Sequence, residues 1–85
     1  MRVREAEPDD WPQVAALLAE LGRPEVRGTD DEGPARLVFE RYLDRDDTRA
    51  LVAEDDGRVV GFIDMDLRTR LNFITPQAWI PDLIV

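Results

Sequence analysis

The chain has 85 residues, of which 44% are apolar and 35% are charged, and its 19 acidic and 11 basic side chains give a net charge of −8. A chain of this length forms at most one small domain, and its apolar share with charges of both signs excludes global disorder. The acidity argues against a nucleic-acid or anionic-membrane surface, because both require clustered basic side chains. A cationic partner or an amine substrate fits the charge better, and the alternative is that the charge serves only to keep the protein soluble.

The chain contains no cysteine. A disulfide framework, a thiolate nucleophile and a cysteine zinc site are therefore excluded. The N-terminal stretch MRVREAEPDD lacks the apolar core of a signal peptide, and no run approaches the roughly 20 apolar residues needed to cross a membrane. These features predict a cytoplasmic protein with no membrane contact and no resident metal.

The first 21 residues predict a strand followed by a helix. Apolar and polar residues alternate over residues 1–7, and Pro8 ends the run. Asp10 is predicted to cap the helix, with Gln13 completing a capping box. The helix is predicted over residues 11–21, because one helical face collects Val14, Leu17, Leu18 and Leu21.

A polar loop and a second helix are predicted next. Residues 23–33 carry two glycines and three consecutive acids, which indicate a solvated turn rather than a metal site. Pro34 can open a helix that ends near Asp46. Its predicted apolar face comprises Leu37, Val38, Tyr42 and Leu43. Phe39 lies off that face, which indicates burial on two sides or against a partner.

Residues 48–67 predict a β-hairpin around Asp56-Gly57. A type I′ turn needs positive φ at both central residues, and this dipeptide is the strongest short signal for it. The flanking runs are rich in residues that suit a pleated, buried surface. Gly61 within the second run indicates a bulge or close packing against a helix.

The final run, residues 77–85, predicts a last strand. Pro81 cannot donate to a β-ladder, so this strand must be bulged or lie at an edge. The order β-α-α-β-β-β predicts an α+β fold, in which two helices cover a mainly antiparallel sheet. An exposed terminal strand invites pairing, so self-association through the last strand is expected.

Three stretches in this order resemble the N-terminal half of the GNAT superfamily of acyl-CoA-dependent N-acetyltransferases: VREAEPDDWPQVAALLAELG, LVAEDDGRVVGFIDM and PDLIV. The resemblance implies a single partial domain over residues 1–85 and transfer of an acetyl group from acetyl-CoA to an amine. It also implies that the backbone of Leu83, Ile84 and Val85 contacts the thioester carbonyl and the pantetheine arm. The chain is expected to stop before the loop that binds the CoA pyrophosphate, and so to be inactive and to bind acetyl-CoA poorly alone.

Acidic and aromatic residues supply the candidate acceptor site. Asp82 is the candidate that deprotonates the ammonium through water, and a strand-end acid without chemical role is the alternative. Asp64 and Asp66 share one face of a strand and could recognise a cationic amine, although a solvated sheet face is the alternative. Phe73 and Trp79 could line an acceptor pocket, with core packing as the other use of Trp79.

Two functions remain open from the sequence. The chain is the N-terminal part of an N-acetyltransferase with an unidentified amine acceptor, or it is a stand-alone half-domain that serves as a dimerisation or protein-interaction module.

Overall fold

The computed structural model describes residues 1–69, 71 and 74–85. Strand β1 spans Arg2–Glu5, and it is followed by helix α1 at Trp11–Glu20 and helix α2 at Glu32–Asp44. Strand β2 spans Thr48–Asp55, strand β3 spans Arg58–Arg68 and strand β4 spans Gln77–Ile84. The predicted α+β order is confirmed. The candidate Phe73 lies outside the described residues. No helix in the described part of the chain is long and apolar enough to cross a membrane.

The four strands form one antiparallel sheet in the order β1-β2-β3-β4. The turn between β2 and β3 has φ of 50° at Asp56 and 76° at Gly57, as a type I′ turn requires. Gly61 lies where the β2–β3 register shifts by one residue. A Cβ at Gly61 would lie 3.3 Å from both the Ala53 Cβ and the Ile84 carbonyl oxygen, so a side chain here would crowd the neighbouring strands.

Both helices pack on one face of the sheet and enclose the core. Eight buried apolar residues form it: Trp11, Val14, Ala15, Phe39, Ala50, Val52, Val59 and Phe62. The rings of Trp11 in α1 and Phe39 in α2 lie 5.7 Å apart between centroids, at a tilted angle that favours aromatic attraction. This contact joins the two helices above the sheet.

Helix α1 does not begin with the predicted cap. Asp10 has helical backbone angles, and its side chain caps nothing in α1. Pro8 instead starts a short 3-10 turn, and the Asp10 carboxylate accepts a hydrogen bond from the Glu7 backbone N–H at 2.7 Å. The Arg4 guanidinium binds the same carboxylate through two contacts of 2.8 and 2.9 Å. Gln13, predicted to complete the cap, accepts a hydrogen bond from the Val59 N–H at 2.7 Å and ties α1 to β3.

The buried face of α2 differs from the predicted one. Phe39 is buried, whereas Leu37 and Val38 are 46% and 65% exposed. Ala35, Tyr42 and Leu43 flank Phe39 at helical spacing and are partly buried. The prediction that set Phe39 apart was therefore wrong, because the ring of Phe39 meets Trp11 and fixes which face turns inward.

Strand β4 lies at an edge of the sheet and carries a bulge. Asp64 pairs with Asp82, but Asp66 pairs with Trp79, so β4 has one extra residue between these pairs, at Ile80 and Pro81. This confirms the prediction from Pro81. The bulge lies beside the acidic residues of β3 and shapes the local geometry there.

Candidate functional site

An apolar pocket lies between the helices and the sheet. Its volume is about 360 Å³, and we refer to it as the helix–sheet pocket. Most of its wall is apolar and comes from both helices, the loop between them and β3: Trp11, Ala15, Leu18, Pro24, Val26, Ala35, Val38, Phe39 and Phe62. Three polar residues complete it, namely Arg23, Tyr42 and Asp64. An apolar cleft with a few placed polar groups is the usual form of a small-molecule site.

Asp64 and Asp66 lie on the sheet face that the helices cover. Their pairing partners on β2, Ala50 and Thr48, are both buried beneath the helices. Only Asp64 of the two lines the helix–sheet pocket, and it is half-buried there. The alternative of a solvated sheet face is therefore wrong, because the alternation of β3 places these acids toward α2.

The carboxyl of Asp64 has a raised pKa. Its Oδ1 accepts a hydrogen bond from the Asp82 backbone N–H at 3.1 Å. Burial, together with the hydrogen bond and negative charge of the Asp82 carboxyl, raises the pKa of Asp64 from 3.8 to about 7. Near neutral pH the Asp64 carboxyl is therefore divided between its protonated and ionised forms and can accept a proton.

The Asp82 carboxylate is bound by Arg23. The Arg23 Nε donates to Asp82 Oδ1 at 2.7 Å, and a terminal nitrogen of the same guanidinium donates to the Pro81 carbonyl at 3.1 Å. These contacts connect the loop after α1 to the bulge of β4. The arrangement holds Asp82 as an ion pair and leaves Asp64 as the carboxyl without a cationic partner among the described residues.

Tyr42 connects α2 to the other acid of β3. Its hydroxyl donates to Asp66 Oδ1 at 3.0 Å, and its carbonyl accepts from the Thr48 hydroxyl at 2.6 Å. Burial, followed by the hydrogen bond to Asp66, raises the pKa of Tyr42 above its ordinary value. Tyr42 is thus a neutral donor that fixes Asp66 under α2, outside the lining of the helix–sheet pocket. The sequence predicts only a packing role for Tyr42 and no role for Arg23, because no local pattern marks either as a site residue.

Trp79 lies outside the core and outside the lining of the helix–sheet pocket. It is 48% exposed, and the Arg68 guanidinium lies 4.3 Å from the centroid of one of its rings. The expectation of core packing was wrong because β4 is an edge strand, so Trp79 is only partly covered. Its predicted role in binding an acceptor remains a prediction.

The backbone of β4 determines which of Leu83, Ile84 and Val85 could meet a cofactor. The Asp82 N–H and the Ile84 carbonyl both point toward β3. Because backbone groups alternate between the two sides of an antiparallel strand, the Leu83 N–H and C=O point off the open edge. Leu83 therefore fits a main-chain contact to a pantetheine arm or thioester carbonyl better than Ile84 does.

Comparison with known proteins shows the fold. No protein-family model matches the sequence. No curated protein matches it either. Several solved structures match the chain. An Agrobacterium tumefaciens protein described as an acetyltransferase has 24% sequence identity and a TM-score of 0.81, over 99% of this chain and 58% of that one. A GNAT family acetyltransferase of Staphylococcus aureus has 16% identity and a TM-score of 0.81 (99% of this chain, 61% of that one), and glucosamine-6-phosphate N-acetyltransferase of Arabidopsis thaliana has 20% identity and a TM-score of 0.75 (99% of this chain, 58% of that one).

The chain thus spans about 58% of the length of such structures. The identities are low, so the likeness concerns architecture rather than substrate. The two helices and four antiparallel strands of this chain form the N-terminal portion of the GNAT acetyltransferase fold.

Proposed function

We propose that this chain is the acceptor-binding part of an N-acetyltransferase, which moves an acetyl group from acetyl-CoA to an amine. The observation that carries the proposal is Asp64, a carboxyl with a pKa of about 7 on the wall of an apolar pocket. A general base works best when its pKa lies near the operating pH. The fold supports the same reaction class, since the matched structures include named acetyltransferases.

The chemistry requires removal of a proton from the acceptor. An amine arrives mainly as the ammonium ion, whose nitrogen has no free electron pair. Ionised Asp64 attracts this ion and takes its proton on a carboxylate oxygen, and the proton then passes to water. When bound, acetyl-CoA would supply the thioester carbonyl carbon, which bonds to the freed nitrogen as its bond to sulfur breaks. CoA would leave as the thiol, because its sulfur takes up the second proton that the nitrogen loses.

Neighbouring residues set the charge and position of Asp64. Arg23 binds the Asp82 carboxylate at 2.7 Å, and Asp64 is the one carboxyl among the described residues that line the helix–sheet pocket. The Asp82 N–H orients Asp64 through its hydrogen bond to Oδ1. The Leu83 N–H at the open edge is available as a donor to developing negative charge, a contribution that amounts to a few kcal/mol in such sites.

The test uses the protein as it is encoded, with any polypeptide that surrounds these residues. Acetyl transfer from labelled acetyl-CoA is measured over a panel of amines as a function of pH. General-base contributions are typically about 10²- to 10⁴-fold. We therefore expect Asp64→Asn to lower kcat/KM by at least about 10²-fold and to remove a rise in rate near pH 7, where Asp64 titrates.

Asp30→Asn is the matched control, because Asp30 lies exposed in the loop and the change removes the same charge. It should leave both the rate and its pH profile unchanged. No transfer to any amine, or an Asp64→Asn protein with the parent profile, would overturn the proposal.

A second candidate is a pairing module that uses β4. The observation that favours it is the position of β4 at the edge of the sheet, with Leu83 58% exposed. Sedimentation of the 85-residue chain over a range of concentrations tests this function. Self-association that is lost in Leu83→Lys supports it, whereas a monomer at the highest concentration contradicts it.

A further inference from the structure

We infer that the acceptor is a primary amine with a single positive charge and a hydrocarbon body, aliphatic or aromatic, that enters the helix–sheet pocket. The inference rests on the proposed function, because it assigns the substrate class of the same site. It also makes a separate claim, since an acetyltransferase could equally take a sugar amine or a polyamine.

The wall of the helix–sheet pocket suits the hydrocarbon part of a ligand. Nine of its twelve lining residues are apolar, and aromatic rings face it from α1, α2 and β3. A ligand hydroxyl against this wall would lose its hydrogen bonds to water and find few partners, because the apolar lining residues among those described add only the buried, unpartnered indole N–H of Trp11 to the side-chain polar groups of Arg23, Tyr42 and Asp64. Sugar amines, which carry several hydroxyls, are therefore disfavoured.

Two of the three polar lining residues already have partners. The Arg23 guanidinium is bound to Asp82 and to the Pro81 carbonyl, and the Tyr42 hydroxyl donates to Asp66. Asp64 accepts from the backbone N–H of Asp82 on Oδ1 and interacts with the Asp82 carboxyl, but it has no cationic partner among the described residues. The wall thus offers one anionic acceptor for one ammonium group.

A second ammonium group on the ligand finds no second carboxylate on the pocket wall. Asp64 is the one acidic residue among the described residues that line the helix–sheet pocket, and the Arg23 guanidinium on the same wall is paired with Asp82. A diamine or polyamine would therefore bury a further ammonium group against apolar residues, which carries a desolvation cost. The pocket volume of about 360 Å³ lies at the small end of the usual range of about 300 to 1,000 Å³, which favours a compact body.

Binding to the 85-residue chain tests the inference without any acetyl transfer. NMR shifts are followed at mildly alkaline pH during titration with butylamine, hexylamine, phenethylamine, spermidine, glucosamine and hexan-1-ol. Each buried methylene contributes about fourfold in affinity, so hexylamine should bind about 15-fold more tightly than butylamine. Hexylamine and phenethylamine should exceed spermidine, glucosamine and the uncharged alcohol.

Two neighbouring residues of α2 give a matched pair of variants. Val38 lines the helix–sheet pocket and Leu37 does not, and both are exposed. Both should accept Gln without loss of the fold, because neither is in the core. Val38→Gln should weaken hexylamine binding several-fold, whereas Leu37→Gln should leave it unchanged.

Three outcomes would overturn the inference: tighter binding of spermidine or glucosamine than of hexylamine, equal affinities for butylamine and hexylamine, or equal effects of the two variants. Efficient acetyl transfer to hydrophilic amines by the encoded protein would also overturn it, and would leave the proposed function standing. Absence of transfer to every amine would overturn the proposed function instead, even if hexylamine binds in the pocket.

Discussion

Replacing Asp64 with Asn is expected to stabilise the protein above pH 7 and to leave its stability unchanged below about pH 4. The pKa of Asp64 is about 7 in the folded chain, against an ordinary value of 3.8. Between these values the folded state holds a proton that the unfolded state has lost. The free energy of unfolding therefore falls as pH rises from about 4 to 7, as linkage requires. Asn does not titrate, so the variant lacks this fall.

The magnitude follows from the shift and from the exposure of the carboxyl. A unit of pKa corresponds to about 1.4 kcal/mol, so the shift from 3.8 to about 7 sets an upper bound of about 4 kcal/mol. Asp64 is only half-buried, and water screens its interactions. We therefore expect Asp64→Asn to raise the free energy of unfolding by about 1 to 2 kcal/mol above pH 7.

Urea unfolding followed by circular dichroism at mildly acidic and mildly alkaline pH measures this difference. Asp30→Asn, which removes one negative charge from the exposed loop, corrects for general relief of repulsion in a chain of net charge −8. An Asp64→Asn variant that matches Asp30→Asn at alkaline pH, or that destabilises the chain there, would refute the reasoning.

Three further predictions concern the scaffold of the site. Phe39→Ala removes the ring that contacts Trp11 and should lower the free energy of unfolding, measured in urea, by about 3 to 5 kcal/mol. Val38→Ala, at an exposed position of the same helix, should lower it by less than about 0.5 kcal/mol. Similar losses in the two variants would contradict the observed orientation of α2. Asp10→Ala leaves the Arg4 guanidinium without its closest partner and should cost about 2 to 4 kcal/mol at neutral pH. The Arg4 hydrogen bonds hold the pKa of Asp10 below its usual range, so the stability difference between the parent chain and Asp10→Ala should shrink as the pH falls through that pKa. Thermal unfolding of both proteins at a series of pH values measures the difference, and a difference that stays constant would refute the prediction. Gly57→Ala, at φ of 76°, should cost about 1 kcal/mol in the same assay, and an unchanged midpoint would count against the type I′ turn.

Features set by local chemistry were predictable from the sequence. The hairpin follows from Asp56-Gly57, because few dipeptides accept positive φ at both positions. The edge position and bulge of β4 follow from Pro81, which lacks a donor for the ladder. Both inferences depend on one or two residues and need no knowledge of distant parts of the chain.

The orientation of α2 was not predictable in the same way. Apolar residues at positions 37, 38, 39, 42 and 43 cover more than one face of the helix, so periodicity alone allows several orientations. The observed one is selected by the contact between Phe39 and Trp11, residues that belong to different helices. The capping of α1 was missed for a related reason, since Arg4 competes for the Asp10 carboxylate from the neighbouring strand.

The candidate site was predictable only in part. The spacing of Asp64 and Asp66 showed that they share a face, but the register of three strands decides that this face lies under the helices. The Arg23–Asp82 ion pair joins residues 59 positions apart, and no sequence pattern predicts such a contact. That ion pair distinguishes the two carboxyls, because it engages Asp82 and not Asp64.

Asp64 is proposed as the proton acceptor of the helix–sheet pocket. A carbon-13 NMR titration of the aspartate carboxyls tests this role, with the Asp64 signal assigned by its loss in Asp64→Asn. We expect a midpoint of about 7 for Asp64 that falls when hexylamine binds, because the ammonium stabilises the ionised carboxylate. A midpoint near the ordinary value of 3.8 would contradict it.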